Sequence, residues 1–297
     1  MTEQPIPSNN PAQAAKAQAE ATPLTAEQAR TEQAALQAAR LRSRRSFIGL
    51  GLAGLAGVWG WHYFVTPSPG NPDVDGITAG VRKVLGANAE LTKDYFAHTR
   101  LAPEYARSRA TKLRLNGDAG LQSALDPATW RMVVQGYAPA GTPARRQEFT
   151  LEQLKALPRT EMTTQLKCIE GWSVIVHWAG VRLSDFLARY PLATASGQPI
   201  ANAAQPPADT ARYASLVTPD EEYYVGLEMY AALHPQTLLA YELNGQPLTL
   251  EHGAPLRLVT PLKYGVKHLK RIGTLAFTDE RPADYWAEQG YDWSGGH

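Results

Sequence analysis

The single cysteine of the chain, Cys168, has the surroundings that point most directly to chemistry. It lies in "QLKCIEGWSVIVHWAGVRLSDFL" (165–187), where a strand-like run ends and Glu170 follows within two residues. A thiol at a strand-to-loop junction is accessible for reaction or metal binding, and the neighbouring Lys167 favours the thiolate. The alternative is that Cys168 is a small buried hydrophobe. One cysteine excludes an intramolecular disulfide and a zinc site of several thiolates.

Two separated blocks of this sequence resemble the sulfite oxidase family of molybdenum enzymes. The first reads Cys-x-Glu-Gly-Trp-Ser and then Trp-x-Gly-Val-x-Leu, from Cys168 to Leu183. The second, 234–277, contains "LAYELNG", "HGAPLRL" and "KYGVK", and the ending "DYWAEQGYDW" agrees as well. The resemblance covers about 90–297. It is strongest to the bacterial branch that contains a periplasmic protein-methionine-sulfoxide reductase.

This resemblance implies a molybdenum–molybdopterin cofactor with one pterin per metal. It makes Cys168 both the catalytic residue and the only protein ligand of the metal, because a soft thiolate suits molybdenum. Gly253 would allow close backbone approach, and the Arg257 guanidinium would grip the pterin phosphate. The implied cofactor contacts are His252, Arg257, His268, Leu269, Lys270, Thr218 and His98, with Arg100 beside the last.

Some positions leave alternatives open. "KYGVKHLKR" (263–271) concentrates five basic residues and would otherwise be a solvated surface turn. Candidates for closing the substrate site, by position only, are Tyr223, Tyr224 and Glu228.

The resemblance implies oxygen-atom transfer, with reduction of an S-oxide or N-oxide, small or protein-bound. Glu170 and Gly171 replace the Gly-Asn of the sulfite-oxidising members, which disfavours sulfite. The sequence has no Cys-x-x-Cys-His haem motif, so we expect electrons from a separate membrane haem or quinol-linked donor. The alternatives are a non-catalytic cofactor-binding or assembly module, and a cysteine hydrolase that pairs Cys168 with His177 or His252.

"SRRSFIGL" near the N-terminus resembles the twin-arginine signal, which the translocase of that name reads on folded, cofactor-loaded proteins. The apolar run 47–65 is long enough, at about 30 Å as a helix, to span a bilayer. No small-x-small cleavage site follows it. We therefore expect a protein anchored by 47–65 at the periplasmic face of the inner membrane, or periplasmic if the signal is cleaved. A plain stop-transfer helix is the alternative.

Composition and patterning predict four segments. These are a disordered tail at 1–42, a signal and anchor helix at 43–66, a linker at 67–73 and a molybdopterin-binding domain at 74–297. With 29 basic and 28 acidic residues, no charge excess points to nucleic acid.

Within the domain, strands outnumber helices and do not alternate with them, which predicts an α+β fold with a mixed sheet rather than a doubly wound one. We expect helices at 77–87 and 89–97. Thr150 and Gln153 have the spacing of a capping box, and Asn244–Gly245 predicts a hairpin turn.

Overall fold

The computed structural model describes residues 26–65, 100–139 and 141–297, which fall into two compact units divided at Phe64 and Val65. The described part of the first unit forms a single helix, α1 (Ala26–Val65), whose last residue is counted with the second unit. The predicted linker at 67–73 and the helices at 77–87 and 89–97 lie outside the described residues.

Helix α1 includes the predicted anchor, but the anchor prediction is not supported. No helix in the described part of the chain combines the length with the apolarity needed to cross a membrane. The physical reason is composition: five glycines lie between 49 and 60, and His62 follows, so the large apolar side chains are diluted.

The second unit is α+β, as predicted, and its strands form two five-stranded sheets. Its strands are β1 (Met132–Gln135), β2 (Arg146–Phe149), β3 (Arg159–Lys167), β4 (Ser173–Arg182), β5 (Tyr213–Val217), β6 (Tyr224–Glu228), β7 (Leu238–Leu243), β8 (Gln246–Pro247), β9 (Arg257–Val259) and β10 (Thr274–Thr278). Its helices are α2 (Leu151–Lys155), α3 (Leu183–Arg189), α4 (Met229–Ala232) and α5 (Tyr285–Glu288).

The first sheet has the order β2-β1-β10-β5-β6 and is mixed, because β1 and β10 are parallel while the other pairs are antiparallel. The second sheet is the antiparallel row β3-β4-β7-β8, with β9 also paired to β7. The larger buried core combines residues of the first sheet with α3, and includes Phe149 and Phe186 in edge-to-face contact at 5.0 Å. A second core packs around Trp178 of β4.

Local sequence signals produced the predicted local structures. The Thr150 hydroxyl accepts a hydrogen bond from the Gln153 amide, and the Gln153 side chain accepts one from the Thr150 amide, so the capping box begins α2. Asn244 and Gly245 both have positive φ and form the tight turn between β7 and β8.

The β3–β4 hairpin fixes the position of Cys168. Lys167, the last residue of β3, pairs with Ser173, the first residue of β4. Across the connecting loop the Cys168 amide donates to the Trp172 carbonyl at 2.9 Å, and the Gly171 amide donates to the Cys168 carbonyl at 3.1 Å. Gly171 has φ +86°, which glycine adopts without steric cost. The thiol therefore stands at a strand end, as the sequence predicted.

Candidate functional site

A cavity of about 230 Å³ brings the thiol together with part of the predicted cofactor set. Cys168, Arg257, His268 and Lys270 all line it. Cys168 is mostly buried, and the exposed remainder of its side chain faces this cavity. Residues almost ninety apart in the chain therefore share one enclosed space.

Asn116 is the polar neighbour of the thiol that the sequence analysis missed. Its Nδ2 lies 3.8 Å from Cys168 Sγ and 3.4 Å from Glu170 Oε1. The indole of Trp172 donates to the other Glu170 oxygen at 2.9 Å. These two donors, Trp172 first, lower the pKa of Glu170, so it remains a carboxylate. Asn116 precedes a glycine in a loop, a pattern that predicts only a turn.

Arg257 is a buried cation held by backbone carbonyls. Its Nη1 donates to the His252 carbonyl at 2.9 Å and its Nη2 to the His268 carbonyl at 3.3 Å. Its guanidinium lies over the Trp178 ring at 4.8 Å, while Nε has no hydrogen-bond partner in the described structure. Burial lowers the pKa of Arg257 to about 10, which leaves it charged at neutral pH.

Lys270 adds a second positive charge to the cavity. Its ammonium donates to the carbonyls of Asn116 and Gly117, both at 2.7 Å. Desolvation first, and then the charge of Arg257, lower the pKa of Lys270 to about 8. Within the described ranges neither Lys270 nor Arg257 forms an ion pair with a carboxylate. Glu170 is the one carboxylate among the described lining residues, against Arg114, Arg257 and Lys270, so the cavity carries a net positive charge.

His268 contributes a hydrogen-bond acceptor rather than a charge. Its Nε2 donates to the carbonyl of Thr260 at 3.0 Å and to that of Lys263 at 3.3 Å, so Nδ1 carries the lone pair. Burial first, and then Arg257, lower the pKa of His268 to about 3. Nδ1 is buried without a partner in the described residues.

Three other predicted contacts do not line the cavity. His252 is not among the described residues that line the cavity, and its backbone carbonyl accepts a hydrogen bond from Arg257 Nη1. The hydroxyl of Thr218 donates to Asp220 and accepts from the Tyr223 amide, so it shapes a turn. Leu269 is fully buried in the larger core. His98 lies outside the described residues.

Gly253 permits the close backbone approach that the sequence predicted, but the group that approaches it is another segment of the protein rather than the cofactor. It has φ +96°, and a side chain there would meet the backbone of Lys270 and Arg271 at under 3 Å. Gly253 therefore lets the "HGAPLRL" segment pack against the cation-bearing segment.

The alternative that "KYGVKHLKR" is a solvated surface turn is wrong. Lys263 is 1% exposed and donates to Glu228 Oε2 at 2.8 Å. Lys267 is equally buried and pairs with Asp284. Each lysine thus compensates a buried carboxylate, and removing it would leave that carboxylate as an uncompensated buried charge.

Of the three candidates for closing the substrate site, Tyr223 lines the cavity. Burial first, and then acidic groups that include Cys168, raise the pKa of Tyr223, so its hydroxyl stays protonated and donates to the Val266 carbonyl at 2.7 Å. Glu228 is instead engaged in the buried pair with Lys263, and Tyr224 bonds to Glu288.

The geometry also argues against a cysteine hydrolase. The His177 Nδ1 is bonded to the Thr163 hydroxyl at 2.8 Å. Neither His177 nor His252 is among the described residues that line the cavity with Cys168. A thiol without an adjacent base lacks the activation that this mechanism needs.

The residues present fit a molybdopterin. The group carries a phosphate and ring donors, and the unpartnered Nε of Arg257 and Nδ1 of His268 are a buried donor and a buried acceptor at this cavity. In the described ranges no three His, Cys, Asp or Glu side chains are grouped to hold a metal ion.

Comparison with known proteins agrees with this chemistry. A family model described as an oxidoreductase molybdopterin binding domain matches residues 119–286. The putative protein-methionine-sulfoxide reductase subunit YedZ1 of Azospira oryzae is 35% identical over 206 residues, 68% of this chain and 70% of that protein.

The protein-methionine-sulfoxide reductase catalytic subunit MsrP of Xanthomonas campestris pv. campestris is 40% identical over 137 residues. This match covers 46% of the chain and 42% of the relative, so the chain matches less than half of that protein's length. Among solved structures, the sulfane dehydrogenase SoxCD from Paracoccus pantotrophus aligns with 21% identity and a TM-score of 0.44, over 62% of this chain and 46% of that one.

Proposed function

The chain belongs to the oxidoreductase molybdopterin binding domain family, and from that membership we propose that it reduces a sulfoxide at a molybdenum centre held by Cys168. The names of its relatives favour methionine sulfoxide in a protein over an N-oxide. The observation that carries the proposal is the shared cavity, which is lined both by the only thiol of the chain and by the cations Arg257 and Lys270, and which has a net positive charge.

The residues of the cavity have separate tasks in this proposal. Cys168 supplies a soft thiolate ligand, and the Asn116 amide, 3.8 Å from Sγ, withdraws electron density from it. Arg257 and Lys270 bind the phosphate, since a guanidinium or ammonium forms strong charge-assisted bonds to it. His268 accepts from a ring donor through Nδ1. When bound, the molybdenum cofactor supplies the two-electron redox chemistry.

The reaction needs a reductant from outside the chain. Reduction of a sulfoxide consumes two electrons and two protons and releases a thioether and water. We propose that a membrane haem or quinol-linked protein delivers the electrons. The word "subunit" in the names of the relatives supports a redox partner of this kind.

The test begins with the purified protein. Molybdenum and pterin analysis should find one of each per chain, and reduced viologen should be oxidised by a methionine-sulfoxide peptide. A metal-free protein that binds no pterin would refute the molybdenum centre. A loaded protein that reduces neither sulfoxides nor N-oxides would instead support the non-catalytic module.

We also propose that "SRRSFIGL" directs export of the folded protein to the periplasm by the twin-arginine route. Replacing Arg44 and Arg45 with lysine should leave the protein in the cytoplasmic fraction, whereas Arg42→Lys, the matched control, should not. Normal export of the double variant would contradict this route.

A further inference from the structure

A row of four aromatic side chains forms one part of the cavity wall. Tyr223, Tyr285, Trp286 and Tyr291 all line the cavity, and successive ring centroids lie 5.0, 5.4 and 5.1 Å apart. We call these four residues the aromatic row. Its rings belong to segments other than those that carry the cations, so the cavity offers an apolar surface in addition to its charged one.

The aromatic row extends from the interior to solvent. Tyr223 is half-buried, with its hydroxyl bonded to the Val266 carbonyl, whereas Tyr291 at the other end is 49% exposed. Trp286 lies between them in edge-to-face contact with Tyr285 and Tyr291. A side chain that enters the cavity from solvent would therefore meet Tyr291 and Trp286 first.

The helix that carries two rings of the aromatic row, Tyr285 and Trp286, is anchored through Asp284. Asp284 caps α5 by accepting from the Ala287 amide at 3.2 Å, and its other oxygen accepts from the Gly226 amide at 3.1 Å and pairs with Lys267. Because this carboxylate and Lys267 are buried, the helix that bears Tyr285 and Trp286 is anchored to the strand β6. Fixed rings lose little entropy when a ligand packs on them.

We infer that Trp286 and Tyr291 determine substrate specificity, by packing on the flexible apolar stem of a peptide-borne sulfoxide. This rests on the proposed function. Methylene groups gain free energy when they leave water and pack on aromatic rings, so the stem of a methionine sulfoxide side chain would gain contacts along the aromatic row. A small oxide such as dimethyl sulfoxide has no stem and would gain few of them.

The experiment compares two substrates, a peptide with one methionine sulfoxide and dimethyl sulfoxide, in Trp286→Ala and Tyr291→Ala. We expect each variant to lower kcat/KM for the peptide about five- to tenfold, the size of one or two methylene groups no longer buried against a ring. The value for dimethyl sulfoxide should stay within about twofold, because the variants leave the thiol and cations in place. Trp286→Phe should retain most of the peptide activity.

A binding measurement without turnover provides a second readout. Calorimetric titration of the oxidised protein with the same peptide should show a weaker Kd in both alanine variants. Leu250→Ala is the matched control, because Leu250 is 47% exposed and is not among the residues lining the cavity. It should leave both measurements unchanged.

Each outcome supports or overturns the inference. Equal losses for both substrates would mean that the rings support the fold or the cofactor, and would overturn it. Unchanged peptide kinetics and binding would overturn it as well. A molybdenum-loaded wild type that reduces neither substrate would refute the proposed function first, and the inference with it.

Discussion

Arg257→Met should separate cofactor binding from folding. The native guanidinium is 2% exposed, donates to two backbone carbonyls and has no carboxylate partner in the described residues. Methionine keeps much of the side-chain volume and removes the charge. We expect the variant to lose molybdopterin while the cofactor-free protein remains about as stable as the wild type.

The expected magnitude follows from burial. Burial lowers the pKa of Arg257 from its ordinary value to about 10, which corresponds to roughly 3 kcal/mol of desolvation that the neutral side chain avoids. Against this gain, two buried carbonyls lose their donor at about 1 to 2 kcal/mol each. The two effects nearly cancel in the cofactor-free protein. Loss of a charged hydrogen bond to phosphate should weaken cofactor binding roughly 10- to 100-fold.

Lys263→Met is the contrasting variant, because Lys263 is an equally buried cation that does pair with a carboxylate, Glu228. Breaking a buried pair costs about 3 to 5 kcal/mol, so this variant should lower the Tm by about 10 °C or more. Thermal unfolding of cofactor-free protein and molybdenum content after purification are the measurements. Full molybdenum content in Arg257→Met, or a Tm loss equal to that of Lys263→Met, would refute the reasoning.

Three further predictions use other parts of the structure. Cys168→Ser should abolish viologen-linked turnover while pterin remains detectable, because a hydroxyl is a poor ligand for this centre; wild-type turnover would contradict the metal ligand. The pKa of Lys270 is about 8 when folded against 10.5 as its ordinary value, so the unfolded protein binds more protons between those pH values. The free energy of unfolding of cofactor-free protein should therefore rise with pH from about 8 to 10.5, and a Lys270→Met variant with the same pH dependence would contradict this. A Cβ added at Gly180 would overlap the Leu239 carbonyl where β4 meets β7. Gly180→Ala should therefore lower the free energy of unfolding by about 1 to 3 kcal/mol, measured by urea denaturation. An unchanged urea midpoint would contradict this, because it would show that the strands can separate there.

The sequence alone determined most of the local structure of the second unit. The strand-like run before Cys168 predicted the end of β3, the Thr150 capping box predicted the start of α2, and Asn244–Gly245 predicted the hairpin turn. These signals depend on residues within a few positions of one another, so they act before any tertiary contact forms. The two motif blocks around Cys168 and Arg257 likewise identify the family from sequence alone.

Tertiary structure decided what each charged residue does. The sequence of "KYGVKHLKR" does not distinguish the roles of its five basic residues. In the structure, Lys263 and Lys267 pair with carboxylates 35 and 17 residues away, whereas Lys270 lines the cavity. Asn116 lies next to the thiol although it is 52 positions away in the chain, and no sequence motif predicts this contact. Pairing and burial across such separations depend on how the sheets pack, and they set both the charge and the free hydrogen-bonding groups that a site can use. The sequence thus identified Cys168, and the fold determined which of its distant neighbours share its cavity.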